Sequence, residues 1–186
     1  MHQHSAFLKR VCLGAAGGFL GTVAIQALMR AQGKWLPQAS PPIRQHPGEF
    51  MVDRMEGALP DAARRHIPEA AETAVAQGLG MGYGVTFGAL YAAMRQERGN
   101  ALLDGAALGL GCWAAGYLGW LPAAGLMPPV NKQSAAQVAG PVVDHLAYGV
   151  ITAAAYNWLC DQFNPAVPAE VELGTERSAA MAGAAG

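Results

Sequence analysis

Asp144 and His145 are adjacent ionisable residues inside an otherwise uncharged stretch, residues 133–160. An unperturbed histidine titrates near pH ~6.5, so it gains or loses a proton close to neutrality. Tyr148 and Thr152 follow Asp144 in steps of four residues, which is the spacing of one helix face. These four side chains form the candidate functional polar site, and the chemistry predicted for it is a response to protons.

A structural role is the alternative for the same residues. Adjacent residues of a helix point about 100° apart, so Asp144 and His145 do not converge on one ligand. His145 shares a stripe with Thr152, from which it could donate a hydrogen bond to another helix. Asp144 could reach water or lipid headgroups near the helix end. The pattern leaves both interpretations open.

Motifs for catalysis, metal binding or cofactor binding do not occur in the sequence. There is no G-x-S-x-G, H-E-x-x-H, C-x-x-C or phosphate-binding Gly-Lys-Ser/Thr pattern. Cys12, Cys112 and Cys160 are predicted to be small apolar packing residues. The 12 basic and 13 acidic residues leave a net charge of −1, which argues against a nucleic-acid partner. We therefore predict no enzyme, no metal and no cofactor.

The candidate site belongs to one of four long stretches with few or no charges. Apolar residues make up 52% of the chain and charged residues only 13%. About 20 helical residues cross the ~30 Å hydrocarbon layer, so we predict an all-α polytopic membrane protein, a four-transmembrane-helix bundle. The predicted spans are residues 11–30, 73–94, 104–127 and 136–160. A soluble, Ala-rich bundle is the alternative, but it would need a polar helix face, which these stretches lack.

The four spans are predicted to form one domain, residues 1–160, with a flexible tail at 161–186 that has few aromatic residues. The loop 31–72 contains several prolines, which exclude a single helix. Four of its apolar residues share one side of a helical wheel: Phe50, Met51, Met55 and Leu59. This pattern predicts a short interfacial helix at the membrane surface, and the alternative is a loop helix packed on the bundle.

Glycines recur at a spacing of four, which lets helix backbones approach closely in lipid. The glycines predicted to pack the helices are Gly14, Gly18, Gly80, Gly84, Gly88, Gly105 and Gly109. The alternative use of such glycines is to line a pore. Among them, Gly80 and Gly84 are expected to face the stripe of His145.

Two motifs occur twice in the sequence. Gly-Ala-Ala-x-Gly occurs at residues 14–18 and 105–109, and Tyr-Gly-Val-x-x-x-Ala-x-Tyr occurs at 83–91 and 148–156. The repetition predicts two pseudo-repeated helical hairpins related by an axis along the membrane normal. Chance similarity within a Gly- and Ala-rich sequence is the alternative.

A family resemblance rests on four stretches. They are Trp-Ala-Ala-Gly-Tyr-Leu-Gly-Trp-Leu-Pro-Ala-Ala-Gly-Leu-Met-Pro-Pro at 113–129, Asp-His-Leu-Ala-Tyr-Gly at 144–149 and Gly-Tyr-Gly-x-x-x-Gly-Ala-Leu-Tyr at 82–91, together with Pro-Pro-x-Arg at 41–44. Over most of residues 10–160 the chain resembles the YagU-like family of small bacterial inner-membrane proteins.

The resemblance implies a multi-pass protein of the bacterial inner membrane, with cytoplasmic termini, a periplasmic long loop and a loose association with acid tolerance. Related chains often carry His-Leu before the Tyr-Gly of the second helix, where this chain has Gly80-Met81. The resemblance therefore does not extend to a paired-histidine site.

The function predicted from these features is that of a non-catalytic integral inner-membrane protein with a structural or accessory role, linked to acid or envelope stress through the resemblance. Its partners would be the lipid bilayer and either a second copy or another protein of a membrane complex. The alternative is a small channel or transporter subunit with a proton-responsive site at Asp144 and His145. That alternative would need a water-filled path between the helices.

Overall fold

Helices form all the regular structure of residues 2–95 and 99–163, which are the residues that the computed structural model describes. No strand occurs in this part of the chain, so the all-α prediction is confirmed there. The tail predicted at 161–186 lies outside the described residues from 164 onward. The helices are α1 His2–Trp35, α2 Pro47–Gly57, α3 Asp61–Arg64, α4 Glu69–Met94, α5 Ala101–Trp113, α6 Leu121–Ala123 and α7 Ala135–Phe163.

Three helical stretches are long and apolar enough to cross a membrane. They are His4–Trp35, Ala101–Ala123 and Ala135–Phe163. The predicted span 73–94 lies in α4, which is not among these three because its glycines, Gln77 and threonines dilute its hydropathy. The long helices also extend past the predicted spans, since α1 runs from residue 2 to 35. Charges mark where an apolar stretch ends, whereas a helix continues through any good helix former.

The four long helices pack in the order α4, α1, α7, α5. In α1, Gly14 lies over the Gly88 carbonyl and Gly18 over the Gly84 carbonyl, so α1 and α4 run antiparallel. In α5, Gly105 lies over the Gly149 carbonyl and Gly109 over the His145 carbonyl of α7, again in antiparallel order. A Cβ at any of these four glycines would overlap the neighbouring backbone.

The contact between α1 and α7 also depends on glycine. A Cβ on Gly17 would come within 2.9 Å of the Thr152 carbonyl oxygen, and one on Gly21 would come within 2.9 Å of the Tyr148 carbonyl oxygen. By contrast, α4 and α5 meet through larger side chains, with Tyr83 Oη donating to the Cys112 carbonyl over 3.5 Å. The helix axes therefore lie closest at the positions where the residue in contact is a glycine and has no side chain.

Polar contacts join one end of the bundle. Lys9 Nζ donates to the Phe163 carbonyl over 2.6 Å, which ties α1 to the end of α7. Asn157 Nδ2 donates to the Gly99 carbonyl over 3.0 Å, and Arg95 pairs with Asp104 across the turn between α4 and α5. The long loop and the connection between α6 and α7 lie at the other end, where Arg44 N donates to the Leu126 carbonyl over 2.8 Å.

The helix that begins as α5 is interrupted before Pro122. Ala114–Trp120 forms wider π-helical turns, and Gly119 leaves helical geometry with φ −99° and ψ −106°. Proline has no N–H to continue the ladder, and its ring crowds the preceding turn. The break that Pro122 imposes is absorbed one turn earlier, at Gly119, whose backbone tolerates it.

Helix α2 packs on α4 instead of standing apart from the bundle. Gly48 lies against the backbone of Ala76, and Val52 is buried at the same contact. Phe50 packs against the buried cluster of Tyr117, Leu121, Leu126 and Met127. Met51, Met55 and Leu59 remain exposed. The loop helix therefore has both a packed side and an open apolar side.

Candidate functional site

Asp144 projects from α7 toward the end of α1. Its side chain is 4% exposed, and Gln32 Nε2 donates to Asp144 Oδ1 over 2.6 Å. Gln32 lies beyond the predicted span 11–30, so the sequence analysis did not find this partner. The sequence did contain a sign of this partner, because Gln32 follows Arg30 by only two residues and the helical pattern is not interrupted between them. This hydrogen bond joins α1 to α7 at the long-loop end.

His145 points away from Asp144, toward the π-helical segment. Its Nδ1 lies 2.8 Å from the Pro141 carbonyl of its own helix. A carbonyl only accepts hydrogen bonds, so this contact requires the proton on Nδ1. The ring also meets Tyr117 edge-on, with the ring centroids 5.5 Å apart. The expected contact of the His145 stripe with Gly80 does not occur, because nothing lies within 4 Å of a Cβ placed on Gly80.

Tyr148 and Thr152 face two further neighbours. Tyr148 Oη donates to the Gly84 carbonyl of α4 over 2.6 Å, with the tyrosine only 2% exposed. Thr152 is completely buried against Gly21 of α1. Thr22 Oγ1 bonds back to the Gly18 carbonyl over 2.7 Å, so a polar layer forms where α1, α4 and α7 meet.

The four predicted site residues therefore do not converge on one space. Asp144 bonds to α1, His145 contacts the π-helical segment, Tyr148 bonds to α4, and Thr152 packs on α1. Such an arrangement can join helices through hydrogen bonds that lipid would not supply. It does not present several functional groups to one substrate, which a catalytic site requires.

Of the seven glycines predicted to pack helices, six lie at close backbone or side-chain contacts, and Gly80 faces open space. Gly17 and Gly21, which share the spacing of four, also lie at close contacts, as do three glycines that were not predicted to pack helices: Gly48, Gly140 and Gly149. Gly48 and Gly140 lie outside repeated motifs, and no spacing signal marks them. The glycine pattern predicted close packing but not which face of each helix is used.

A cleft of about 360 Å³ between α2 and α4 is the feature that the sequence analysis missed. Its acidic lining residues are Glu49, Asp53, Glu69 and Glu72, with His46 at one side. Glu72 lies just before the predicted span, and the carboxylate of Glu56 raises the pKa of the Glu72 carboxyl by repulsion. The signal available in the sequence was the spacing of Glu49, Asp53 and Glu56 along one helix.

Within the part of the chain that the structure describes, no group of three His, Cys, Asp or Glu side chains is placed to hold a metal ion. No protein-family model matches the chain, and no curated protein or solved structure matches it either.

Proposed function

We propose that this chain is a non-catalytic integral membrane protein with a structural or accessory role, and that all four long helices span the bilayer. From the family resemblance we also propose a location in the bacterial inner membrane, cytoplasmic termini and a link to acid or envelope stress. The observation that carries it is the distribution of apolar side chains, which point outward from the bundle.

Large apolar side chains cover the outward faces of the long helices. They include Phe19, Leu20, Val23, Leu90, Leu103, Leu110, Leu118, Val143, Ile151 and Trp158. In the most enclosed of the three apolar helices, Ala135–Phe163, only 39% of the most apolar window is buried. A soluble protein rarely exposes a contiguous apolar surface of this extent, whereas hydrocarbon stabilises it.

Between the helices, backbone and hydroxyl groups lie beside buried apolar side chains such as Tyr91, Cys112 and Ala153. Glycine backbones, Thr22, Thr152 and the Tyr148 hydroxyl occupy the contacts between helices. Helices in lipid gain little by burying apolar groups against each other, because lipid tails are just as apolar, and they associate instead through close packing and polar contacts. This interior supports the membrane assignment independently of hydropathy.

Two observations support α4 as the fourth span. Its 26 residues reach about 39 Å at 1.5 Å per residue. Its Gly84 and Gly88 contact Gly18 and Gly14 in the middle of α1, so α4 would lie at the same depth as α1 in a bilayer.

The contacts also support two related hairpins, α1 with α4 and α5 with α7. In each hairpin a Gly-Ala-Ala-x-Gly motif packs against the helix that carries Tyr-Gly-Val. The two hairpins differ in register by one turn. Gly18 lies over Gly84 in the first hairpin. Its equivalent in the second, Gly109, lies over His145, four residues before Gly149, the equivalent of Gly84. We infer that the second hairpin has shifted by one turn relative to the first.

The structural role rests on the partners of Asp144, His145 and Tyr148, each of which contacts a different element. A channel or transporter subunit would need water beside Asp144, whereas this carboxyl is 4% exposed and bonded to Gln32. We therefore favour the structural role over the transport alternative.

Proton flux into proteoliposomes tests the choice between these roles. The purified chain should give the same flux as empty liposomes, and Asp144→Asn and His145→Ala should not change it. Protein-dependent flux that either substitution abolishes would overturn the structural role in favour of the channel.

A further inference from the structure

An apolar groove of about 140 Å³ lies between α2 and the start of α4. Its apolar lining consists of Val52, Met55, Leu59, Ile67, Ala71 and Val75. Met55 is 57% exposed and Val75 is 44% exposed, so the groove is open along its rim. Val75 also belongs to the proposed span 73–94, which places the groove at the boundary between hydrocarbon and headgroups.

Along α4 the groove is followed by two exposed glycines, Gly78 and Gly82, which we call the glycine trough. Ala71, Val75, Gly78 and Gly82 share one helix face at steps of four, three and four residues. Nothing lies within 4 Å of a Cβ placed on Gly78 or Gly82. The trough is therefore not used for packing within the bundle, and it is directed toward lipid in the proposed membrane orientation.

Two carboxylates also line the groove. Glu56 of α2 and Glu72 of α4 both line it. The neighbouring acidic cleft shares Val52 and Glu72 with the groove and adds Glu49, Asp53 and Glu69. Repulsion from Glu56 raises the pKa of Glu72. A cation at this place would relieve that repulsion.

We propose that the groove, the glycine trough and the acids above them bind a membrane lipid whose headgroup ends in a primary ammonium group. One acyl chain would lie in the groove and along Gly78 and Gly82, and the ammonium group would donate to Glu56 and Glu72. The negative charges of Glu56 and Glu72 favour a cationic headgroup. The groove is continuous with the outward apolar face of the bundle, which favours a lipid over a peptide. The inference rests on the membrane assignment proposed above.

Native mass spectrometry of the full chain in detergent, titrated with phosphatidylethanolamine or phosphatidylglycerol of identical acyl chains, tests the proposal. We expect about threefold tighter binding of phosphatidylethanolamine, the size of a partly exposed charge pair. The double substitution Glu56→Gln with Glu72→Gln should bring the two affinities together. Asp161→Asn, at the opposite end of the bundle, is the matched control and should keep the preference.

The trough is tested separately by Gly78→Leu, which should lower the binding of both lipids. Gly111→Leu is the control, because Gly111 is also an open glycine but lies on α5. Three results would overturn the proposal: equal affinities of the wild type for the two lipids, a preference that survives the double substitution, or equal effects of the two leucine variants. So would a cationic amphipathic peptide that displaces both lipids equally. A chain that stays dispersed without detergent would instead refute the membrane assignment itself.

Discussion

Tyr148 is the clearest example, at the residue scale, of how α7 is held in the bundle. Its hydroxyl reaches across α1 to the Gly84 carbonyl of α4, although α4 and α7 make few other contacts. The absence of a side chain on Gly84 leaves room for this approach. One phenol therefore fixes the distance between two helices that do not pack directly.

Tyr148→Phe should destabilise the bundle by about 1 kcal/mol, the usual net value of a buried hydrogen bond. Unfolding by a denaturing detergent, followed by circular dichroism, measures the change. Tyr83→Phe is the matched control, because its bond to the Cys112 carbonyl is long at 3.5 Å. Equal stabilities of the wild type and Tyr148→Phe would contradict this role.

The pair Glu56 and Glu72 predicts a pH dependence of stability. Glu56, followed by smaller effects that include Glu69 and Asp53, raises the pKa of Glu72 above its ordinary value of 4.5. A raised folded-state pKa means that this group favours folding at low pH, and that contribution is lost as the pH rises through the folded-state pKa. We therefore expect the Tm of the wild type to fall relative to that of Glu72→Gln as the pH rises from below 4.5 through the raised folded-state pKa.

Thermal unfolding of both proteins across that pH range, in one detergent, makes the comparison. Asp161→Asn, at the opposite end of the bundle, serves as the control for removing an acid. A wild-type Tm that rises relative to Glu72→Gln with increasing pH would contradict the assigned repulsion.

At the element scale, the packing of the helices depends on where the glycines lie and not only on how many there are. Gly18 of α1 lies against backbone atoms of Gly84 and Gly88, which no rotamer change can move aside. Gly111 of α5 has nothing within 4 Å of its Cβ position. The same substitution at the two positions should therefore have very different effects.

Gly18→Leu should destabilise the bundle by about 3 kcal/mol or prevent folding, because overpacking displaces the backbone of α4. Gly111→Leu should change stability by less than about 0.5 kcal/mol. Yield after extraction and unfolding in denaturing detergent report both effects. Similar behaviour of the two variants would contradict the account of helix packing.

The position of α4 can be tested at its two ends. Single cysteines at Glu69 and Met94, in a chain whose native cysteines are replaced by alanine, should be labelled by a membrane-impermeant reagent from opposite sides of a sealed vesicle. Labelling of both from one side would leave three spans instead of four. Cysteines at Ala101 and Phe163 provide the control, since the structure places both at the end near Met94.

The helical class and the approximate positions of the helices follow from the sequence because few charges interrupt the apolar stretches. The partner of each helix does not follow, since Gly80 and Gly84 belong to the same spacing pattern yet only Gly84 meets a neighbour. The bond from Gln32 to Asp144 depends on α1 continuing past Arg30, which the charge pattern does not reveal. The acidic cleft depends on α2 folding back onto α4, a tertiary contact without a local signal.

At the scale of the whole molecule, the outer surface of the bundle is more apolar than that of a soluble bundle. Phe19, Leu110 and Ile151 face outward, whereas glycine backbones and hydroxyl groups lie at the closest helix contacts, beside buried apolar clusters. Contact of the outward apolar side chains with water would be unfavourable, and water would compete for the hydrogen bonds between the helices. Hydrocarbon around the helices makes both features favourable, and this choice of solvent is the central claim.

Fractionation of cells that express the chain tests that claim most directly. After an alkaline carbonate wash the protein should remain in the membrane pellet, and only detergent should release it. Removal of the detergent should then precipitate it. Recovery of the chain as a compact monomer in buffer without detergent would contradict the account.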